Sequence, residues 1–544
     1  MAVRHSFAII IVWLLTLPLL PGCSLSSDDD PPQLQISSEN ILRRGNGGDP
    51  QTLDPSLAED VHAFNVLRDL YEGLVIEAAD GSLIPGTAER WEISDDGRLY
   101  TFYLRTDARW SSGATVSAED FVAGFQRTLA ANSTSPYSFL LSPILNYAAV
   151  TNGDLPVTEL GVHVVDSQTL VIELASPATH FLGVLAMPIA YPLYIGEEFD
   201  GSRFRDPDKF VGNGPYVLTE RRPARRIRLQ RNEMFHNASN VSVQYVDYYP
   251  IVDPATELNM YRAGELDITA TVPPPRIRDL RQSQPEELWI SPSLALYYLA
   301  FDLGEPPLDN LVLRKALSMA IDRRTLVELI GRGEQAAFGI VPEGVAGHQV
   351  ARYDWQSTES ANREAQARQH YLEAGYDGAN PLQIKLTYDV GDIHETVALA
   401  VSAMWREVLG VEVTLDKREW KYFLATRDER AEWQVMRFAW VGDYNDARTF
   451  LEIFRSDSSQ NLSGFDNPKY DRLLRATSET IDVEKRTELM TQAEMQLLDE
   501  YPIAPLYFYV SKHLVNPAVR NFEANILDIH PSQFLIKHKD KNVH

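Results

Sequence analysis

Residues 382–415 read LQIKLTYDVGDIHETVALAVSAMWREVLGVEVTL and contain a strand pattern, a helix pattern and a second strand pattern in that order. Leu382 to Tyr388 and Val411 to Leu415 are predicted strands, and His394 to Leu409 repeats its apolar residues at helical spacing. Further helices are predicted over Val312 to Ile330, Ala361 to Ala374 and Val483 to Leu498. This interleaving predicts a mixed α/β fold organised in several lobes.

The N-terminal half shows the same mixture of elements. Leu99 to Arg105 has the alternation of a strand. Ser117 and Asp120 have the spacing of a capping box, and the apolar residues after them lie on one helical face, beginning at Phe121. We therefore expect a helix that begins directly after Ser117.

Length and charge limit the classes of protein to which the chain can belong. The 544 residues are 44% hydrophobic and 23% charged, which is typical of a globular protein of two to four domains. The formal net charge is −26. A surface this acidic makes nucleic acid and anionic lipid headgroups unfavourable partners. It does not identify the ligand.

The N-terminus has the pattern of an export signal. An apolar run from Phe7 to Leu20 follows Arg4 and is too short to span a bilayer, so residues 1–22 are predicted to be a signal peptide. Leu20-Pro-Gly-Cys23 resembles a bacterial lipobox, in which the cysteine receives a diacylglycerol. Residues 23–38 are a polar linker. The alternative is a chance cysteine in a linker.

Motifs of catalysis and metal binding are absent from the sequence. His394-Glu395 lacks the second histidine of a zinc protease, and Asp443-Tyr-Asn-Asp446 lacks the later glycine and glutamate of a calcium loop. Cys23 is the only cysteine, which excludes a CxxC site. We therefore predict no metal, no cofactor and no enzymatic activity, although a carboxylate pair without a sequence signature stays open.

A series of short motifs resembles one family along residues 40–540. The motifs, in chain order, are Leu53-Asp-Pro55, Arg68-Asp-Leu-Tyr-Glu-Gly-Leu74, Pro85-Gly-Thr-Ala-Glu-Arg-Trp91, Asp107-Ala-Arg-Trp-Ser111, Ala118-Glu-Asp-Phe-Val122, Asn213-Gly-Pro-Tyr216, Tyr261-Arg-Ala-Gly-Glu-Leu-Asp267, Arg314-Lys-Ala-Leu-Ser-Met-Ala-Ile-Asp322, Trp440-Val-Gly-Asp-Tyr-Asn445 and Pro505-Leu-Tyr-Phe-Tyr509. Together they resemble the oligopeptide-binding proteins of peptide ABC importers, which are OppA-like, family 5 extracellular solute-binding proteins.

The resemblance implies a three-lobed, periplasmic-binding-protein-like α/β fold of type II, cluster C, with a hinged ligand cleft. Lobe I would comprise residues 39–71, 187–292 and 511–544, lobe II residues 72–186, and lobe III residues 293–510. Two chain crossings between the main lobes suit a hinge. The chain would be a monomer on the periplasmic or cell-surface face of a bacterial membrane, anchored through Cys23. It would capture short peptides and deliver them to the permease subunits of an ABC importer.

A peptide enclosed in a cleft needs partners for its amine and for its backbone. By resemblance, Asp443 pairs with the ligand's α-amino group, flanked by Trp440 and Tyr444. The alternative for Asp443 is the cap of a turn. The ligand backbone would lie extended between Glu59 to His62, including Val61, and Phe438 to Val441. Because this pairing involves only backbone groups, we expect the protein to bind peptides of many different sequences.

The ligand's carboxylate would meet basic residues whose positions set the peptide length. By resemblance these are Arg437, His394 and Arg427, and a guanidinium can bind a carboxylate with two parallel hydrogen bonds. The family's lysine for the shortest peptides is missing, since Glu328 to Gly333 offers only Arg332. His394 is equally well explained as a surface histidine. Candidate pocket walls, which are equally well explained as core, are Tyr137, Tyr297, Tyr298, Trp440, Tyr507 and Tyr509.

Two other functions stay open. The same fold carries nickel, haem, sugars or muropeptides in other proteins, because fold does not determine cargo. A lipid-tethered chaperone or sensory receptor is the second alternative, and it would show no stabilisation by small molecules.

The lipobox predicts the effect of replacing the single thiol. Cys23→Ser should release a soluble protein that still binds its ligand, because a lipid anchor contributes about 0.8 kcal/mol per buried methylene and needs the thiol. Membrane fractionation and labelling with fatty acid measure this. A variant that still incorporates fatty acid would contradict the lipoprotein interpretation.

Overall fold

The computed structural model describes residues 40–196, 201–419, 422–423, 433–442 and 444–538. The strands are β1 (Ile41–Gly45), β2 (Val75–Glu77), β3 (Leu83–Pro85), β4 (Ala88–Ile93), β5 (Leu99–Leu104), β6 (Val162–Asp166), β7 (Thr169–Glu173), β8 (Tyr216–Arg222), β9 (Arg226–Arg231), β10 (Tyr245–Tyr249), β11 (Leu288–Phe301), β12 (Gln335–Ala336), β13 (Gln383–Asp389), β14 (Glu412–Arg418), β15 (Val435–Val441), β16 (Ile503–Leu514), β17 (Val519–Arg520) and β18 (Ile536–Lys537).

Helices alternate with these strands along the chain. They are α1 (Val61–Leu70), α2 (Ala118–Leu129), α3 (Tyr147–Thr151), α4 (Phe181–Leu185), α5 (Pro254–Arg262), α6 (Ile277–Ser283), α7 (Leu311–Met319), α8 (Arg323–Ile330), α9 (Ser360–Glu373), α10 (Asp392–Leu409), α11 (Arg448–Leu451), α12 (Pro468–Glu479) and α13 (Val483–Glu500). None of the helices in the described residues combines the length and apolar character needed to cross a bilayer.

Three main sheets organise the described chain. One has the order β1-β10-β9-β8, the second β4-β5-β7-β6, and the third β12-β16-β11-β15-β13-β14. The stretch 382–415 forms β13, α10 and β14, and the two strands pair in parallel. The predicted mixed α/β fold is confirmed.

The helix predicted after Ser117 is present as α2. The backbone N–H of Ser117 donates to the Asp120 carboxylate at 2.9 Å, as in a capping box. The same carboxylate accepts a hydrogen bond from the buried Trp110 indole at 3.1 Å. Asp120 therefore fixes the start of α2 and joins it to the preceding loop.

The predicted continuous helix from Val312 to Ile330 is wrong. The structure has α7 and α8 instead, separated by three residues. Asp322 caps α8 by accepting hydrogen bonds from the backbone N–H groups of Arg324 and Thr325, each at 3.1 Å. An aspartate at this position favours a new helix start, and apolar periodicity alone does not reveal it.

Two long strands connect the parts of the fold. β11 has 14 residues and β16 has 12, and they pair antiparallel over most of their length. At one end they pack with α5 and α6 through Leu288 and Leu514, and at the other they enter the large core around Leu299 and Ala504. The register shifts between Pro292 and Leu296, so the regular pairing is interrupted midway.

Candidate functional site

A cavity of about 570 Å³ lies where distant parts of the chain meet. Its walls come from α1 and the segment around Asp528, from the residues around Tyr137 and His180, and from the residues around Tyr444 and Arg486. Ligand sites form preferentially at such junctions. Val61 and Tyr444, two of the predicted ligand contacts, line this cavity.

Apolar side chains form much of the cavity wall. Val61 is 59% exposed, and Leu83 and Val483 are also exposed although they are large and apolar. Phe64 and Met187 complete this surface. Exposed apolar side chains gathered in one concavity indicate a binding site, because they bury their surface only when a ligand or a partner covers them.

Two pairs of opposite charge lie in the wall. Arg486 donates two hydrogen bonds to Asp446, at 2.8 and 2.9 Å, and both side chains are buried. Arg68 lies 3.4 Å from Glu77 in a second pair. Each pair is formally neutral, so these parts of the wall favour uncharged ligand groups.

One edge of β15 is open to strand addition. Gly442 donates its backbone N–H to the Leu294 carbonyl at 2.7 Å, and the antiparallel alternation then directs the backbone groups of Ala439 and Val441 away from β11. On that side β13 pairs only as far as Met436 among the described residues. In the described part of the chain no strand pairs with the edge at Ala439 and Val441, and Val441 is 66% exposed.

The other predicted backbone contact, the segment from Glu59 to His62, lies at the start of a helix. Asp60 caps α1 by accepting the Ala63 N–H at 2.8 Å, so Val61 and His62 are helical and Glu59 lies just outside, exposed. The pairing of an extended ligand with Glu59 to His62 stays a prediction. The first N–H groups of a helix have no partner within it, so this end of α1 can still donate to a ligand.

The predicted carboxylate contacts Arg437 and His394 lie together. Arg437 is buried and forms an ion pair with Asp389, at the end of β13. Its Nη2 also lies 3.0 Å from His394 Nε2, and His394 Nδ1 lies 3.2 Å from the Tyr297 hydroxyl. Burial first, and the Arg437 charge second, lower the pKa of His394 to about 4. The imidazole is therefore neutral near pH 7 and accepts from Arg437 through Nε2.

Several predicted pocket aromatics form a stack behind this cluster. The rings of Tyr297 and Tyr507 are stacked with centroids 4.7 Å apart, and Tyr509 meets Tyr507 edge-on at 5.3 Å. Tyr297, Tyr298 and Tyr507 are buried, whereas Tyr509 is half-buried. In this conformation Tyr297, Tyr298 and Tyr507 are core residues, and they support the cluster of Arg437 and His394.

The two aromatics that flank Asp443 in the sequence differ in their contacts. Tyr444 stacks on His180 with ring centroids 4.5 Å apart and donates its hydroxyl hydrogen to Glu452 at 3.1 Å. Trp440 is half-buried, and its indole nitrogen has no hydrogen-bond partner among the described residues. Asp443, Arg427 and Cys23 lie outside the described residues.

Comparisons with known proteins identify the family. The sequence profile of "Bacterial extracellular solute-binding proteins, family 5 Middle" matches residues 82–461. The chain belongs to this family. It is 34% identical to "Periplasmic oligopeptide-binding protein OppA" of Escherichia coli, covering 93% of both chains. It is also 34% identical to "Probable deoxycholate-binding periplasmic protein YgiS" of E. coli, covering 94% of this chain and 96% of the relative.

Solved structures confirm the solute-binding-protein fold. The "MppA Periplasmic Murein Tripeptide Binding Protein, Unliganded Open Form" is 33% identical, with a TM-score of 0.87 over 92% of this chain and 98% of that one. For "The structure of the Escherichia coli murein tripeptide binding protein MppA", the identity is also 33%, and the TM-score is 0.72 over 93% of this chain and 99% of that one. The chain thus superposes more closely on the structure that is named as unliganded and open.

Other residues of the site were not predicted from the sequence. His180 and Arg486 line the cavity, Asp389 pairs with Arg437, and no local motif marks these three residues. Asp446 was considered only as part of a calcium loop that lacks its later ligands. Their positions become apparent only when the distant segments meet.

The Arg437 cluster makes a prediction about the pKa of His394. Arg437→Met should raise that pKa from about 4 toward its ordinary value, because the change removes a neighbouring positive charge and leaves the Asp389 carboxylate unpaired. Histidine-labelled NMR titration measures it. Arg437→Lys keeps the charge and is the matched control. An unchanged pKa in Arg437→Met would show that Arg437 does not act on His394.

Proposed function

We propose that this solute-binding protein captures short peptides in its cleft and delivers them uncleaved to an ABC import permease. The proposal rests on the family and on the cargo named for its relatives, oligopeptides for OppA and a murein tripeptide for MppA. Family 5 proteins are solute-binding proteins, so we assign no catalytic role to the paired charges of the cleft.

The single observation that carries peptide as cargo is the open edge of β15. A peptide buried from water must satisfy the hydrogen bonds of its own backbone. Ala439 and Val441 offer backbone groups on one side, and the N-terminal end of α1 offers donors on the other. An extended peptide can pair with such an edge whatever its side chains, as in other strand-addition complexes.

Asp443 is the proposed partner of the peptide's α-amino group. Its neighbours support this position, because Gly442 is hydrogen-bonded to β11 and Tyr444 lines the cavity. At an effective dielectric near 20, an ion pair at about 4 Å contributes roughly 4 kcal/mol before desolvation is subtracted. A free ligand amine is therefore expected to matter.

The peptide carboxylate is proposed to meet Arg437, His394 or Arg427, depending on peptide length. Without a ligand the Arg437 charge is already balanced by Asp389. A ligand carboxylate would thus share the guanidinium with Asp389. Because Glu328 to Gly333 lacks the family's lysine and offers only Arg332, dipeptides are not proposed as cargo.

The lobe boundaries given above are proposed with a hinge in β11 and β16. The boundary between residues 292 and 293 lies beside the register shift from Pro292 to Leu296, and the boundary between residues 510 and 511 lies opposite on β16. The two strands share fewer regular hydrogen bonds between Pro292 and Leu296, so they can bend there. We also propose export by residues 1–22 and anchoring of Cys23, linked by residues 23–38, on the periplasmic or cell-surface face of a bacterial membrane.

A second candidate cargo is an amphipathic steroid acid. The apolar, charge-paired cavity favours it, and a relative is named as a probable deoxycholate-binding protein. Such a ligand has no amine and cannot add a strand to β15. Peptide binding therefore requires Asp443, whereas binding of the steroid acid does not.

The proposed amine contact predicts a double-mutant cycle. Asp443→Ala should cost roughly 2–5 kcal/mol of affinity for tripeptides to pentapeptides, because the ligand charge loses its buried partner. N-terminal acetylation of the peptide should cost a similar amount, and the two together much less than their sum. Titration calorimetry measures the affinity of the native protein and of Asp443→Ala for the free and the acetylated peptide. Mass spectrometry checks that the peptide is recovered intact.

Asp466→Ala is the matched control, because Asp466 is an exposed carboxylate in the same predicted lobe. It should leave affinity unchanged. Additive losses for Asp443→Ala and acetylation would remove Asp443 from the amine site. Deoxycholate binding that survives Asp443→Ala, together with no peptide binding, would favour the steroid acid.

A further inference from the structure

Three side chains with metal-ligand chemistry meet at the edge of the cleft. His513, Asp528 and His530 each place one ligand atom within 4.8 Å of the others. His513 Nε2 lies 2.8 Å and His530 Nε2 lies 3.2 Å from the same oxygen, Asp528 Oδ1. Ligands of a tetrahedral Zn²⁺ at bond lengths near 2.0–2.1 Å lie about 3.4 Å apart. Small side-chain shifts would therefore bring all three around one ion.

The ring of His513 is oriented by the backbone. Its Nδ1 lies 2.8 Å from the Thr269 carbonyl oxygen, so Nδ1 carries the hydrogen and donates it. Backbone and side-chain hydrogen bonds between Thr269 and Leu514 fix this carbonyl against β16. A ligating histidine typically donates its other ring N–H to such a partner, which leaves the far nitrogen for the metal. Nε2 of His513 points at Asp528 in this way.

The loop that carries the other two residues is held in place. The Asn525 side chain donates to the Ile529 carbonyl at 2.8 Å and accepts the Ile529 N–H at 3.1 Å. Arg44 donates to the His530 carbonyl at 2.8 Å. These contacts keep Asp528 at φ 57°, a left-handed conformation that is unfavourable for a side chain larger than glycine. The carboxylate is thus positioned before any ion arrives.

We propose that His513, Asp528 and His530 bind a divalent transition-metal ion of the zinc class. Two imidazoles and a carboxylate suit Zn²⁺, Ni²⁺ and Cu²⁺, and three protein ligands leave a coordination position open. Both histidines are buried, whereas the Asp528 side chain is 36% exposed and lines the cleft cavity between Leu527 and Ile529. The open position therefore faces the cleft, where it can take water or a ligand oxygen. This site does not depend on the identity of the cargo.

Equilibrium dialysis against Zn²⁺ tests the site in the full chain without a polyhistidine tag. Cys23→Ser serves as the background, so that no thiolate competes. We expect one zinc per chain, and we expect His513→Gln, Asp528→Asn and His530→Gln each to weaken binding at least tenfold. The matched control is His370→Gln, a histidine that also contacts a carboxylate, Glu373 at 3.2 Å, but has no third ligand. It should leave zinc binding unchanged.

Binding of Co²⁺ in place of Zn²⁺ gives a second measurement, which requires no substitution of His513, Asp528 or His530. Visible ligand-field bands of a four- or five-coordinate ion should appear in the background protein and disappear when Zn²⁺ is added. No bound zinc and no cobalt bands would overturn the proposal. It would also be overturned if zinc bound equally well to all three ligand variants that remain folded by circular dichroism.

Discussion

The antiparallel pairing of β11 with β16 is the constraint on which the rest of the structure depends. These strands connect the core beside α5 and α6 with the large core around Leu299. β11 also pairs with β15, so the same pairing positions the open edge at Val441. On β16, His513 and Tyr507 lie on opposite sides of the proposed hinge between residues 510 and 511. Bending of this pair would therefore move the two sides of the cleft together.

Neutralised charges shape what the cleft can hold. Asp446 with Arg486, Asp389 with Arg437 and Glu77 with Arg68 each form a pair before any ligand is present. Breaking a buried pair is costly, since it leaves one charge without a partner. A ligand that brings its own backbone hydrogen bonds to β15, and apolar side chains to the cavity, can enter without disturbing them. A ligand carboxylate at Arg437 must instead compete with Asp389.

Local features of the fold could be predicted from the sequence, whereas contacts between distant segments could not. The β13–α10–β14 unit follows from apolar spacing within residues 382–415. The break between α7 and α8 was missed because Asp322 is one capping residue inside a continuous apolar pattern. The contact of His180 with Tyr444 joins residues 264 positions apart in the chain, and no periodicity encodes it. The His513, Asp528 and His530 cluster also lacks a known metal-binding spacing.

Cleft closure is the central claim of this account, and small-angle X-ray scattering tests it most directly. The radius of gyration of the chain would be measured alone and with a saturating pentapeptide that calorimetry shows to bind. The account predicts a smaller radius with the peptide, because an open cleft between lobes joined by β11 and β16 closes over its ligand. An identical scattering profile with bound peptide would contradict it.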